Sequence, residues 1–443
     1  MALFDYLCQL YARFLPLRQR LIKLIVKNTI FRFTFFTIKS IFARNHLLLF
    51  FDFEAKSLDN ITANVSSPRI SVPVIALSLY AIASGYLMSM IPLMLPHYGL
   101  ESSLASWLAS AFYAGLLLGA LVVEPFVNRV GHRIAFVWCL VALMLTIIAL
   151  PAMHIAEVWL VARFIAGAAV AGVFVVVESW LMHGDEKGRA KRLGIYMAAL
   201  YGGTALGQLG IGYLGVSGGV PFIAIITLLL IASTVLIYGD SDQPSTQHSS
   251  SLSLKQVFKL NHAALLGCAV SGLTLGAIYG LMPIELELRG INHTDLGSLM
   301  ALVVLGGMAV QPMVPWLSKF MGRTLLMAMF CLLGSAAIAM TLLQSGIMML
   351  AASLFVLGMA TFALYPIAIN LGCDKLDENY IVSATQVMLF SYSIGSVSGP
   401  LIADWFMQRS QGLMGYLLVA LLTTCLYMLM ASMKTKRQWV AGE

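Results

Sequence analysis

Twelve stretches of mostly apolar residues, separated by short polar breaks, limit what this chain can fold into more than any other feature. They lie near residues 73–95, 104–127, 134–152, 157–182, 193–214, 219–239, 263–286, 295–317, 325–344, 347–372, 382–406 and 412–432. A helix of about 20 apolar residues matches a hydrocarbon core ~30 Å thick, and lipid-exposed backbone must satisfy its own hydrogen bonds. The pattern predicts an all-α membrane protein with twelve transmembrane helices. Composition agrees, since only 11% of the 443 residues are charged, against about 25% in soluble domains.

The segment "GDSDQPSTQHSSSLSLKQVFKLNH" separates the sixth and seventh runs. Its Ser-rich, polar character predicts a linker at 240–262 between a six-helix half at 72–239 and another at 263–433, with a tail at 434–443. Loops on the linker side and the tail carry fourteen Lys and Arg, whereas the opposite loops carry Arg289 and Arg409. That asymmetry places the linker and both termini in the cytoplasm and the chain in a bacterial inner membrane. The net charge of +7 is thereby read as a topology signal, with the bilayer and not nucleic acid as its partner.

Sliding the second half over the first by 191 positions superposes Gly85 on Gly276, Pro92 on Pro283, Gly99 on Gly290, Gly115 on Gly306 and Gly131 on Gly322. A shift of 192 then places "GTALGQ" (203–208) over "GSVSGP" (395–400), and Glu178 over Asn370. Gly and Pro are sparse enough for this agreement to predict one helical plan used twice. Residues 1–70 have no counterpart in it. They mix cations with Phe, Ile and Leu too closely for a spanning helix. They are read either as a basic segment lying on the inner leaflet or, preferably, as an upstream extension of the true start.

Six cysteines stand singly with no CxxC pair, and no His-rich cluster, GxSxG or P-loop lysine motif occurs. No metal, cofactor or catalytic residue is expected, the chain is not expected to be an enzyme, and any transport it performs must draw on gradients.

Two charges stand inside one apolar run, "EVWLVARFIAGAAVAGVFVVVESWLM" (157–182). An intramembrane charge costs at least about 2.5 kcal/mol even on insertion scales, so each needs a protein or aqueous neighbour. Arg163 precedes Gly167 by four residues and Ala171 by eight, a small-residue strip that lets another helix approach and turns Arg163 away from lipid. Its two readings are a pathway residue and a static Arg bonded to backbone carbonyls of the first or second helix. Glu178 lies fifteen residues beyond, about 22 Å along the helix, so the two cannot pair. It is read as a gate residue bridging Arg129, Arg189 or Arg192. Gln208, Tyr113, Tyr201, Tyr279, Tyr365, Gln386, Tyr392 and Asp404 join Arg163 as candidates for a substrate or proton pathway, because a transport cavity needs a few polar anchors among aromatic walls. Tyr80, Ser84, Gln311 and Glu285 are further polar candidates.

The segments "PFVNRVGHR", "RFIAG", "VVVESWLM", "YGLMPI", "FALYPIAI" and "SYSIGSVSGP" together resemble the major facilitator superfamily, in its YcaD-type branch. That resemblance implies alternating access, often driven by protons, on a small-molecule substrate; the chain is expected to be a monomer. It implies a role for Arg163 in proton coupling or substrate binding, and a cytoplasmic clasp at Arg129, Gly131 and Arg133. Asn128 stands where the clasp has an acid, and Gln208 stands where antiporter-type members have proline, which weakens both parallels. The reading is a proton-coupled secondary transporter. Facilitated uniport and a non-transporting sensor are its alternatives.

Overall fold

The computed structural model describes residues 68–182, 186–239, 261–343, 346–374, 378–409 and 412–440, with backbone alone at 68–70, 182, 186–190, 342–343, 378–383 and 434–440. The expected N-terminal extension up to residue 67, nearly all of the expected linker and the side chain of Arg189 lie outside the described residues.

Twelve long helices run through the described residues. The first six are α1 Pro68–Met94, α2 Leu104–Val130, α3 His132–Ala152, α4 Ala156–Met182, α5 Glu186–Leu214 and α6 Val220–Tyr238. The second six are α7 His262–Leu288, α8 His293–Val310, α9 Arg323–Leu343, α10 Ile347–Cys373, α11 Glu378–Met407 and α12 Gly412–Val440. Ten of these are long and apolar enough to cross a membrane on length and composition. The other two, α5 and α11, are diluted by Gly203, Gly207, Gln208, Ser391, Ser393 and Ser396. α5 packs against α1 and α8, and α11 against α7 and α2. These close approaches use small residues, which lowers the mean hydropathy of both helices. Leu121, Leu145, Ile223, Leu230 and Leu426, with Phe390 on α11 itself, lie exposed on the outside, the surface a bilayer covers.

Local chemistry sets the boundaries. Gly131, with φ of 83° and ψ of 158°, turns the chain between α2 and α3, a conformation essentially reserved for glycine. Asn292 caps α8, its Oδ1 accepting from the Asp295 amide at 2.8 Å. The expected helix at 295–317 is shorter than anticipated: α8 stops at Val310 and a separate turn follows at Met313–Leu317. Gln311 keeps helical dihedrals, φ −56° and ψ −46°, so the break lies in the hydrogen bonding: Pro312 has no amide proton to continue the ladder. At the other end, α12 runs through most of the expected tail, to Val440.

The repeat is visible where helices touch. A Cβ built at Gly115 would overlap the Phe164 carbonyl oxygen, and one at Gly306 the Phe355 carbonyl oxygen. Gly167 meets Phe112 as Gly358 meets Val303, and Gly203 and Gly207 abut α1 as Gly395 and Gly399 abut α7. Both halves therefore use glycine at matched positions to bring the same helix pairs into backbone contact.

The halves meet mainly on the side away from the linker. A Cβ at Gly280 of α7 would lie 2.7 Å from Ala109 Cβ of α2, and one at Gly297 of α8 would lie 2.5 Å from the Gln208 carbonyl oxygen of α5. Ser110 Oγ donates to the Val397 carbonyl at 2.7 Å, joining α2 to α11. Toward the linker side, Glu178 and Gln386 are exposed. On the linker side the halves are joined by a longer hydrogen bond, Gln311 Nε2 to the Tyr201 hydroxyl at 3.4 Å, so the structure is closed more tightly away from the linker than toward it.

Candidate functional site

The Gly167 contact fixes the position of Arg163. With α4 pressed onto α2 at Gly167 and Phe112, the arginine one turn earlier sits above the Phe112 ring, its Cζ 4.3 Å from the ring centroid. Cation–π attraction of this kind contributes about 0.5–2 kcal/mol. Arg163 Nε is buried without a hydrogen-bond partner, so the static alternative, an arginine tied to backbone carbonyls of α1 or α2, is not made through that atom. Tyr80 and Tyr113 are its electrostatic neighbours. The same shift of 191 that superposes Gly167 on Gly358 brings Arg163 onto Leu354, fully buried in α10. The fold is therefore complete with a leucine at this position, and the charge belongs to one half only.

Arg163 lines two adjoining cavities. One lies within the first half, has about 400 Å³ of empty space including its open portion, and is walled by Tyr80, Ser84, Met88, Phe112, Leu143 and Ile147 among others. The second, about 340 Å³ on the same measure, reaches the second half at Tyr279 and Gly280 and includes Tyr113 and Met88. Neither has an acidic residue in its lining. The cavities are apolar surfaces with one fixed positive charge and a few hydroxyls.

Five expected tyrosines converge beside them. Tyr113, Tyr201, Tyr279 and Tyr392 lie within electrostatic range of one another, and the Tyr365 and Tyr392 ring centroids are 4.9 Å apart. Three phenylalanines that sequence reasoning missed stand against these residues, of which Phe112 alone lines the cavities. Phe112 carries Arg163, Phe174 meets Tyr80 edge-on at 6.3 Å, and Phe362 meets both Tyr201 at 5.5 Å and Tyr279 at 6.0 Å. The only available signal was their helical spacing from polar candidates, which core phenylalanines share.

Other candidates lie elsewhere. Gln208 was expected in the cavity but is fully buried where α1, α5 and α8 meet, accepting from Ser89 Oγ at 2.5 Å; its chain position near mid-span said nothing about which way α5 faces. Gln386 is exposed near the linker-side end of α11. Asp404 lies at the opposite end, where Gln408 Nε2 donates to it at 2.8 Å. Glu285 is a strut: Arg289 Nε donates to Oε1 at 3.0 Å and the Leu413 amide to Oε2 at 3.1 Å, which caps α12.

On the linker side Gly131 makes the expected turn, Arg129 is exposed and Arg133 is half-buried. Glu178 does not bridge Arg129 or Arg192. Its Oε1 accepts from the Tyr196 hydroxyl at 2.9 Å, while Arg192 Nε donates to the Leu181 carbonyl at 2.7 Å. A gate pair is not required to be closed on the open side, which accounts for the difference. In the second half Arg323 forms an ion pair with Asp374 at the end of α10, a pairing the sequence did not suggest because Asp374 has no repeat counterpart among the quoted motifs.

The family model described as Major Facilitator Superfamily matches residues 74–400. The chain belongs to the major facilitator superfamily. Two relatives in the superfamily are a protein of Enterobacter sp. (strain 638) described as an uncharacterised MFS-type transporter, 31% identical, and YcaD of Salmonella heidelberg (strain SL476), 32% identical. Each alignment covers 78% of this chain and 90% of the relative. Among solved structures of the same fold, the nucleoside transporter NupG aligns with a TM-score of 0.64 at 12% identity over 84% of this chain and 99% of NupG. The human organic anion transporter MFSD10 aligns with a TM-score of 0.59 at 14% identity over 82% of this chain and 99% of its own. Superfamily membership makes this chain a multi-pass membrane transporter and not an enzyme.

Proposed function

We propose that the protein is a secondary active transporter that carries a small organic solute across a bacterial inner membrane by alternating access, with proton movement coupled to the solute. The observation that carries this reading is Arg163, a charge held at an apolar cavity between two matched halves that are closed on one side. A rocking motion that opens the Gly280–Ala109 contact and closes the linker side exposes the same cavity to the other face of the membrane. Glu178, exposed on the linker side and bonded to Tyr196, is the carboxylate placed to exchange protons as that side closes. The bacterial sources of the relatives support the inner-membrane assignment.

Facilitated uniport is the second reading. It is favoured by the absence of an acidic residue from the lining of either Arg163 cavity, since an arginine remains charged at any physiological pH. Proteoliposomes holding the purified protein separate the two. Solute-dependent proton flux, lost in Glu178→Gln while solute binding persists, supports coupling. Solute uptake with no proton flux makes the protein a uniporter.

A further inference from the structure

The cavities around Arg163 have one kind of charge. Their linings hold a guanidinium, the hydroxyl-bearing Tyr80, Ser84, Tyr113 and Tyr279, and otherwise carbon and sulfur. Among the described residues the ion pairs join Arg289 to Glu285, His293 to Glu287 and Arg323 to Asp374, and none involves Arg163. Its Nε is buried and unpaired, and its contact is the face of Phe112. A ring face attracts a cation but leaves its N–H donors without acceptors. Arg163 is half-buried, so its guanidinium faces the cavity with no carboxylate beside it, and an anion entering the cavity would compensate that charge.

The second half shows that this charge is not a requirement of the helix contact. At the matched position, with the matching glycine contact four residues later, Leu354 is fully buried. The arginine therefore answers to what enters the cavity. A guanidinium offers a planar fork of donors that fits a carboxylate through two parallel bonds. One fixed positive charge in an otherwise neutral lining matches a single negative charge.

We propose that the cavity takes a small organic monoanion, its carboxylate on Arg163 and its apolar body among Met88, Phe112, Leu143 and Ile147. The Tyr80 and Tyr113 hydroxyls supply additional donors. The inference names the substrate class of the transporter proposed above and rests on that reading.

The test uses the full chain in lipid nanodiscs and three matched series of probes: benzoate, phenylacetate and hexanoate, each beside its neutral amide and the corresponding amine. Thermal unfolding is recorded at millimolar probe, with sodium chloride at equal ionic strength as the control. The expected result is stabilisation by at least one carboxylate, no stabilisation by its amide or amine, and a loss of at least about tenfold in apparent affinity in Arg163→Gln, as for a charge-assisted pair. Arg163→Lys keeps part of that affinity. Equal stabilisation by amide or amine, retention in Arg163→Gln, an equal effect of chloride, or no response to any carboxylate overturns the proposal. The wild-type probe series decides the question even if a variant fails to fold. Flux in proteoliposomes separates the two readings. Carboxylate binding without flux removes the transporter and leaves the anion site standing, whereas flux of amines without carboxylate binding does the reverse.

Discussion

Replacing Arg163 by leucine copies into the first half what the second half already has at Leu354. On insertion scales a central arginine costs about 2.5–3.5 kcal/mol and leucine contributes about −0.5, so the exchange removes ~3 kcal/mol of opposing free energy. The stacking on Phe112 at 4.3 Å is lost at the same time, which returns roughly 1 kcal/mol. A net gain of about 2 kcal/mol remains. The Arg163→Leu protein is therefore expected to insert normally and to unfold a few degrees above wild type, on the scale of roughly 2–4 °C per kcal/mol for mid-sized domains, while losing solute flux. Thermal unfolding in nanodiscs and uptake in proteoliposomes measure both halves of the expectation. A variant that is unstable, or that unfolds well below wild type, would refute the reasoning, because it would make the arginine part of the scaffold.

Gly167→Val and Gly358→Val should destabilise to similar extents, by about 1–3 kcal/mol or more through overpacking, because each would drive a side chain into a backbone carbonyl, of Phe112 or Val303. A large difference in monodisperse yield between them would contradict the matched plan. Ala109→Cys with Gly280→Cys should form a disulfide under oxidation and stop flux reversibly, since those positions touch across the closed side; persistent flux in the oxidised protein would rule out opening there. Glu285→Gln should lower stability by about 1–3 kcal/mol through the Arg289 and Leu413 contacts, with solute affinity unchanged. A changed affinity would return Glu285 to the pathway.

The helical plan was legible because lipid demands long apolar runs and because glycine spacing records helix contacts. α5 and α11, less apolar than the other ten, still stood out as the runs at 193–214 and 382–406, and Gly203, Gly207, Gly395 and Gly399 marked their close contacts. Arg163 was legible as a charge where charge is expensive. Its environment was not, since Phe112 comes from another helix and looks like any core phenylalanine in sequence. Gln208 shows the same gap from the other side: position along α5 was readable, but which neighbour it faced depended on how closely α8 approaches at Gly297. The Glu178–Tyr196 bond joins consecutive helices and depends on the turn between them, which charge patterning alone does not specify.

The glycine contacts between the halves differ in duty from those within them. Gly297 against the Gln208 carbonyl and Gly212 against the Thr294 Cα bring backbone close to backbone where α5 meets α8, with the Ile211 Cβ and the Thr294 Cβ and methyl beside them. Interlocked side chains would have to change rotamer before such a surface could part, and each eclipsed torsion would add to the barrier. Where α5 meets α8 at these glycines, few side-chain torsions have to turn before the two helices slide or part.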